Sequence, residues 1–466
     1  MKRIPITILL GTLLTFAWSS CITRKYKNPD YATEKLFRDT LISDSSTLAS
    51  LHWDQLFTDT ILQQLIREGL GNNLDLKIAM QRMAETHAAY KQSKAAFLPS
   101  LTAGIGVTRA KASQAALNLP AGLGINLGTT VYQASLASSW EADIWGKLSS
   151  SKKSAFARLL ESEAAKNAVQ TQLIASIASG YYSLLALDKQ LLITEQTVKS
   201  RTEEAAIMKD LKESAIVNGA AVVQSEANRY SAEVSLPDLR QRIRETENQL
   251  SILLARPAGA IKRSLLDRQE ILSNLQTGLP IQLLQNRPDV RQAEYAFRAS
   301  FENTNIARSY FYPALTITAQ GGLSTLKLTD FFNGSAFYNF VGGLTQPLFS
   351  QGTNKARLKS AAALQEQQRY RYQATLLQAG EEVSNYLYAY RAAKEKENIR
   401  SKQLVALEQS VTFTKDLLRY SSSTNYTDVL TSEQSLLAAQ LSSVNDRLQQ
   451  LQSVVGLYQA LGGGWQ

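Results

Sequence analysis

A chain that withholds proline and glycine over long stretches is committed to long helices, because those residues are what interrupt the i to i−4 hydrogen-bond ladder. Between Pro120 and Pro237 this sequence has no proline, and from Lys147 to Val217 its one glycine is Gly180. No proline follows Pro347, and between Gly352 and Gly456 the one glycine is Gly380. Windows of about 70 residues therefore stay open to continuous helix, roughly 105 Å at 1.5 Å per residue. A compact globular domain has no room for such rods.

Apolar periodicity supports the helices and says that they are paired. Leu430, Leu437, Leu441, Val444, Leu448, Leu451, Val455 and Tyr458 follow alternating steps of four and three, with Gln434 the one polar residue in the seam. Leu236, Leu239, Ile243, Leu250 and Leu253 keep the same rule, as do Leu173, Ile177, Tyr181, Leu184 and Leu191. A 3.5-residue repeat means knobs-into-holes packing along a neighbour.

Four segments abandon that period for alternation. Leu101 to Arg109 sets Leu101, Ala103, Ile105 and Val107 against Thr102, Gly104, Gly106 and Thr108. Val131 to Asp143, Leu315 to Leu323 and Ala336 to Gln346 are the others, with Trp140, Trp145, Phe331, Phe332 and Phe337 close to their ends. One-faced strands of about ten residues flanked by aromatics match transmembrane barrel strands. Four strands cannot close a barrel, and open edges in lipid cost several kcal/mol per unpaired group. Other copies of the chain must then supply the rest, and three copies give about twelve strands, wide enough for a water-filled lumen. The alternative is an ordinary soluble sheet packed on helices.

Composition is poor in reactive groups. One Cys, two His (His52 and His87) and four Met exclude an internal disulfide and leave little for a metal or histidine-based centre. Lys and Arg number 50 against 40 Asp and Glu, but the two signs are interspersed, which argues for a solvated surface and against nucleic acid. At the N-terminus Lys2-Arg3 precedes an apolar run from Ile4 to Trp18, too short to span a bilayer and shaped as a secretory signal. Ala17-Trp18-Ser19-Ser20-Cys21 resembles a bacterial lipoprotein cleavage box, with Trp18 where Leu is usual. Cys21 would then carry covalent lipid sufficient for stable anchoring; otherwise it is a buried free thiol.

The two halves repeat. Residues 73–101 align with 287–315 at a shift of 214, and Leu211, Ser214, Asn218, Val222 and Ser225-Glu226 align with Leu418, Ser421, Asn425, Val429 and Ser432-Glu433 at a shift of 207. Each half reads short helix, strand, strand, long helix, tight turn, medium helix. A medium helix over 220–255 stacked on the short helix 74–97 would match the long rod, about 90 Å together. The expected organisation is a signal peptide (1–20), a lipidated tether and collar segment (21–72), a first repeat (73–256), a collar linker (257–285) and a second repeat with a C-terminal collar segment (286–466).

Taken in order, Ser139-Trp140-Glu141-Ala142-Asp143-Ile144-Trp145-Gly146-Lys147-Leu148, Leu279 to Val290, Gln346-Pro347-Leu348-Phe349 and Ala460-Leu461-Gly462-Gly463-Gly464-Trp465 resemble TolC-type outer-membrane efflux factors, in the lipoprotein (NodT-like) branch serving resistance-nodulation-division pumps. The resemblance implies a mainly α chain with a small membrane β part: a long coiled-coil α-helical barrel, and four strands per chain completing a twelve-stranded trimeric β-barrel. It implies a passive exit duct, not an enzyme, with no cofactor beyond the lipid on Cys21. Its partners would be two further copies, a periplasmic membrane-fusion adaptor, an inner-membrane transporter and outer-membrane lipid. Adaptor docking would fall on two helix turns, Val217, Asn218, Gly219 and Ala220 in one and Thr424, Asn425 and Tyr426 in the other, with φ > 0 met by Gly219 or Asn218. Tyr420 and Asp428 would form an aperture gate, three copies of Asp428 gathering charge near one axis; an exposed helix-capping Asp is the alternative. Arg287-Pro288-Asp289 reads as a proline-set helix start. Two other functions stay open: the duct of an ABC-type protein secretion system, and a non-conducting lipoprotein scaffold across the envelope. An enzyme using Glu141 and Asp143 lacks any nucleophile or metal partner in reach.

Overall fold

The computed structural model describes residues 23–29, 36–38, 47–117, 126–270, 282–420 and 426–465. The expected signal peptide, Cys21, Thr424 and Asn425 lie outside them. The main elements run α1 (Thr60–Asn72), α2 (Leu74–Ala95), β1 (Ser100–Lys111), β2 (Gly128–Ala142), α3 (Lys147–Glu213), α4 (Gly219–Glu233), α5 (Ser235–Leu253), α6 (Pro288–Ser309), β3 (Ala314–Thr325), β4 (Ala336–Thr345), α7 (Thr353–Tyr420) and α8 (Tyr426–Ala460). The order helix, strand, strand, long helix, turn, helix occurs twice, as the internal repeat requires. The window from Lys147 to Val217 holds one helix of 67 residues, and the window from Gly352 to Gly456 holds the 68-residue α7 and most of α8.

One expected element is divided. Instead of one helix over 220–255, α4 ends at Glu233 and α5 begins at Ser235. The cause is Pro237, whose ring opposes the carbonyl four residues back and whose missing N–H removes a rung, so it is tolerated only in the first turn of a new helix. Val234 joins the pieces in right-handed helical geometry. The counterpart α8 has no proline and runs unbroken for 35 residues.

The chain forms two compact units. Of the described residues, 23–29, 84–117, 126–161 and 294–371 make the first, and 36–38, 47–83, 162–270, 282–293, 372–420 and 426–465 the second. In the first unit the strands form one antiparallel sheet in the order β1-β2-β3-β4. Its corners account for the Ser139–Leu148 motif. Trp140 Nε1 donates to the carbonyl of Phe97 at 2.9 Å, and Trp145 Nε1 to that of Pro313 at 2.7 Å. Asp143 accepts from the backbone N–H of Leu148 and of Ser149, both at 2.8 Å, and so caps α3. Gly146 turns the chain at φ +72°. Lys147 Nζ sits 3.0 Å from Glu141. Glu141 and Asp143 therefore both serve the strand-to-helix corner.

The second unit holds the main core, with Leu62, Ile66, Ile177, Tyr181, Leu184, Leu250, Leu254 and Leu457 fully buried. The seam residues Leu173, Leu239, Ile243, Val444, Leu451, Val455 and Tyr458 are buried as their period demands. Gln434, the polar seam position, donates from Nε2 to Asn228 Oδ1 at 3.2 Å.

Helix ends show why the repeat carries its particular residues. Asn73 Nδ2 donates to the carbonyl of Leu253 at 2.9 Å while its Oδ1 accepts from Leu76 N–H, so one side chain starts α2 and closes α5. In the second half the equivalent position is Arg287, whose Nη1 donates to the carbonyl of Ala460 at 3.1 Å, closing α8 as α6 begins. These are matched positions of the repeat, at shifts of 214 and 207. Arg287 also pairs with Asp289 at 2.5 Å and Glu382 at 2.7 Å. Burial would lower its pKa, but the two carboxylates hold it above the ordinary arginine value. The glycine motif seals this end: Gly462, at φ +88°, lies where a Cβ would fall 2.4 Å from the Asn286 carbonyl, and Trp465 Nε1 donates to that same oxygen at 2.8 Å.

The linker is fixed to the helices by a polar knot. Asp59 caps α1, and its Oδ2 accepts from Tyr181 Oη and Gln269 Nε2, each at 2.8 Å, and bonds Ser264 Oγ. Burial opposes its charge, yet these donors hold its carboxyl below the usual range, while burial pushes Tyr181 up to about 12.

Removing Arg287 leaves the half-exposed Asp289 and Glu382 without their partner and the Ala460 carbonyl without its donor, so Arg287→Ala should cost about 2–3 kcal/mol. Asn73→Ala loses only neutral hydrogen bonds, about 1–2 kcal/mol. Thermal unfolding followed by circular dichroism should rank the two in that order.

Candidate functional site

Cross-strand register sorts the sheet into two chemically distinct faces. Leu101, Ala103, Ile105 and Val107 sit opposite Ser138, Leu136, Ala134 and Tyr132. On the same face, Leu323, Gly321, Ala319 and Ile317 lie opposite Ala336, Tyr338, Phe340 and Gly342. The large side chains here are open: Ile105 is 89% exposed, Phe340 70% and Leu136 54%. The other face gathers Thr102, Gly104, Ser135, Gln320 and Asn339, with Gln320 Nε2 donating to Ser135 Oγ at 3.1 Å. A soluble sheet packed on helices would cover its apolar face. This one leaves it bare.

β1 and β4 each pair along one side only, since they end the strand order. Their outer N–H and C=O groups form two unfinished ladders. No described helix is long and apolar enough to cross a membrane.

The turn between α3 and α4 lies in the second unit. After α3 the positive φ falls at Ala215 (+56°), not at Gly219 or Asn218 as anticipated. Ala215 N–H donates to the Lys212 carbonyl at 3.0 Å and Ile216 N–H to that of Leu211 at 2.9 Å, a Schellman closure with alanine in the left-handed position. Asn218 instead is extended and caps α4, its Oδ1 accepting from Ala221 N–H at 3.1 Å. Gly219 is the first helical residue. Asn218, Gly219 and Ala220 are exposed and Val217 half-buried.

Tyr426 departs from its expected place on the docking surface. It is 6% exposed and packs with Met208 and Val222 in a small apolar cluster joining α3, α4 and α8. Burial pushes its hydroxyl up to about 12, with Glu204 and Glu433 adding to the effect. Tyr420, in contrast, is 83% exposed at the end of α7, and Asp428 is exposed in the first turn of α8.

Sequence reading missed a charged group beside that cluster. Lys415 Nζ lies 2.5 Å from Glu204 and 2.6 Å from Glu433, linking α7 to α3 and α8. The available signal was the repeat itself: Glu433 matches Glu226, which pairs with Lys209 at 2.9 Å, and Lys415 stands where the first half has Met208. Among the described residues no group of His, Cys, Asp and Glu is arranged to hold a metal.

A sheet bare on its apolar side, polar on the other and unfinished at both edges defines the wall of an outer-membrane channel. The family of outer membrane efflux proteins matches at residues 65–256 and 279–463, and the chain belongs to that family. It is a non-enzymatic, outer-membrane component of an efflux pump. The toluene efflux pump outer membrane protein TtgC of Pseudomonas putida is 30% identical over 418 residues, 89% of this chain and 85% of that one. The probable outer membrane lipoprotein SilC of Salmonella typhimurium is 26% identical, over 98% of both chains. The solved outer-membrane channel OprN, 23% identical, superposes with a TM-score of 0.87 over 96% of this chain and all of that one, and so shares its fold.

Left-handed geometry costs an L-residue about 1 kcal/mol that glycine does not pay, so Ala215→Gly should slow amide exchange around the turn. Asn218→Ala removes the cap, about 1 kcal/mol, and should speed it.

Proposed function

We propose that three copies of this chain close a twelve-stranded barrel and act as the passive exit duct of a tripartite pump. An inner-membrane resistance-nodulation-division transporter would supply energy and selection, a membrane-fusion adaptor would bridge to the turns at 217–220 and 424–426, and Cys21 would be lipidated. The carrying observation is the pair of open edges on β1 and β4 flanking a sheet whose two faces suit lipid and water. In lipid, each edge must find strands, and a second copy's opposite edge has the right length and polarity. The toluene relative and the sparse methionine support a cargo of small toxic organic compounds in preference to soft copper or silver ions.

Purified protein should run as a trimer and give pores in planar bilayers; a monomer without conductance would refute the duct. Placed on the lipid face, Ile105→Arg or Phe340→Arg should cost about 2–4 kcal/mol of barrel stability near the bilayer midplane. Thr318→Arg on the polar face should fold normally and change ion selectivity instead. Metabolic labelling with palmitate should mark the native chain and not Cys21→Ser.

A further inference from the structure

Among the described residues the buried side-chain atoms Arg201 Nε, Asn228 Nδ2 and Arg229 Nε on α3 and α4 have no hydrogen-bond partner, and the buried Glu204 carboxylate has its ion pair to Lys415 in place of a full set of donors. Two half-satisfied residues there already bind across helices, Arg201 Nη1 donating to the Asn228 carbonyl at 2.8 Å and Asn228 Oδ1 accepting from Gln434. Glu204 pairs with Lys415, which it shares with Glu433, and its carboxyl also meets that of Glu433. A cavity of about 190 Å³ adjoins the cluster, lined by Met208, Leu211, Leu418 and Tyr426 on its apolar side and by Glu204 and Lys415 on its charged side. A partly satisfied buried network next to a void is a joint that a single proton can tip.

We propose that the Glu204–Lys415–Glu433 bridge is a proton-responsive latch, tightening the packing of α3 on α7 and α8 in acid and loosening it in base. The reading rests on the duct function, since parting these helices close to their turns is what would widen a passage there. The groups facing Glu204 are Lys415 on α7 and Glu433 on α8; Glu203 on α3, Arg419 on α7 and Tyr426 on α8 line the same cavity, Arg201 on α3 acts on Tyr426, and on α4 Glu226 is taken up by Lys209.

With both carboxylates ionised, the bridge holds two negative charges against one ammonium in a buried place. Protonating Glu204 removes the like-charge contact and leaves Lys415 with one full counter-ion, Glu433. Burial first, and Glu433 second, push Glu204 up to about 7 from 4.5, while Lys415, held above its ordinary value by the two carboxylates, stays charged. The packed state therefore binds the proton more tightly than an exposed carboxylate does. Its advantage is full below the unperturbed value and is lost as pH rises through the raised one.

Hydrogen exchange of the intact protein, corrected for intrinsic amide chemistry, tests this at about pH 5.5 and about pH 8.5, either side of the raised carboxyl value. Segments 204–222 and 426–433 should exchange slowly in acid and faster in base, with a midpoint near neutrality. Glu204→Gln should abolish the pH dependence, locking slow exchange. Glu433→Gln, which removes the like charge, should move the midpoint to lower pH, and the exposed neighbour Glu203→Gln should behave as the native protein. Equal exchange at both pH values in the native chain, or a pH dependence that survives Glu204→Gln, would overturn the latch. Conductance separates the two readings: pores with pH-independent exchange sink the latch alone, whereas no pores at either pH sink the duct.

Discussion

Backbone hydrogen bonding in a medium without water is the constraint on which this molecule turns. A four-stranded sheet is stable in solution only if its apolar face is covered, and stable in lipid only if its edges are paired. Ile105, Phe340 and Tyr338 stand open on one face and Gln320, Asn339 and Thr102 line the other, so lipid on one side and water on the other is the arrangement that satisfies the side chains. The backbone is then satisfied only by closure with further strands. Self-association thus follows from an unpaired ladder, not from a sticky patch.

The helical part solves a different problem, that of pairing a long rod with shorter ones. A 67-residue helix presents a continuous seam, and the chain matches it with pieces whose ends would expose carbonyls and N–H groups inside the packing. Asn73 and Arg287 answer this at equivalent places, each starting one helix while bonding the last carbonyls of another. The answers differ in strength. Asparagine gives two neutral bonds, whereas arginine brings a charge that in turn requires Asp289 and Glu382. The motif at 287–289, which has the look of a reactive triplet, is consumed by this structural duty.

How legible was this in the sequence? Missing prolines and glycines located α3 to within a few residues and the start of α7, while the end of α7 was marked only by the internal repeat; alternation located all four strands, because that signal recurs many times along one element. The corner motif was visible as a string but its logic was not, since Trp145 reaching Pro313 and Asn73 reaching Leu253 are contacts between distant positions. The break at Val234 was misjudged because Pro237 was weighed as one residue against a continuous apolar period, and at that spot the missing N–H prevails. The turn was misjudged for the opposite reason: glycine and asparagine are the expected left-handed residues, but Asn218 was needed as a cap and the strain passed to Ala215. Tyr426 looked like a loop residue because it adjoins one in sequence, while its ring fills the space between α3 and α4.

Within the second unit, stability is graded. Around Tyr181 and Leu457 the core is broad, and polar groups such as Asp59 accept several donors. Toward the turns the apolar cluster shrinks to Met208, Val222 and Tyr426, and the polar groups beside it are only partly satisfied. Local opening free energy follows buried apolar contact and hydrogen-bond completeness, so this end of the helices is the one that can yield without unfolding the rest. A passive duct needs that contrast, because it has no chemistry with which to do work on itself. Whatever opens it must act from outside, by a partner's binding or a change of charge, and it must find a place where little free energy stands in the way.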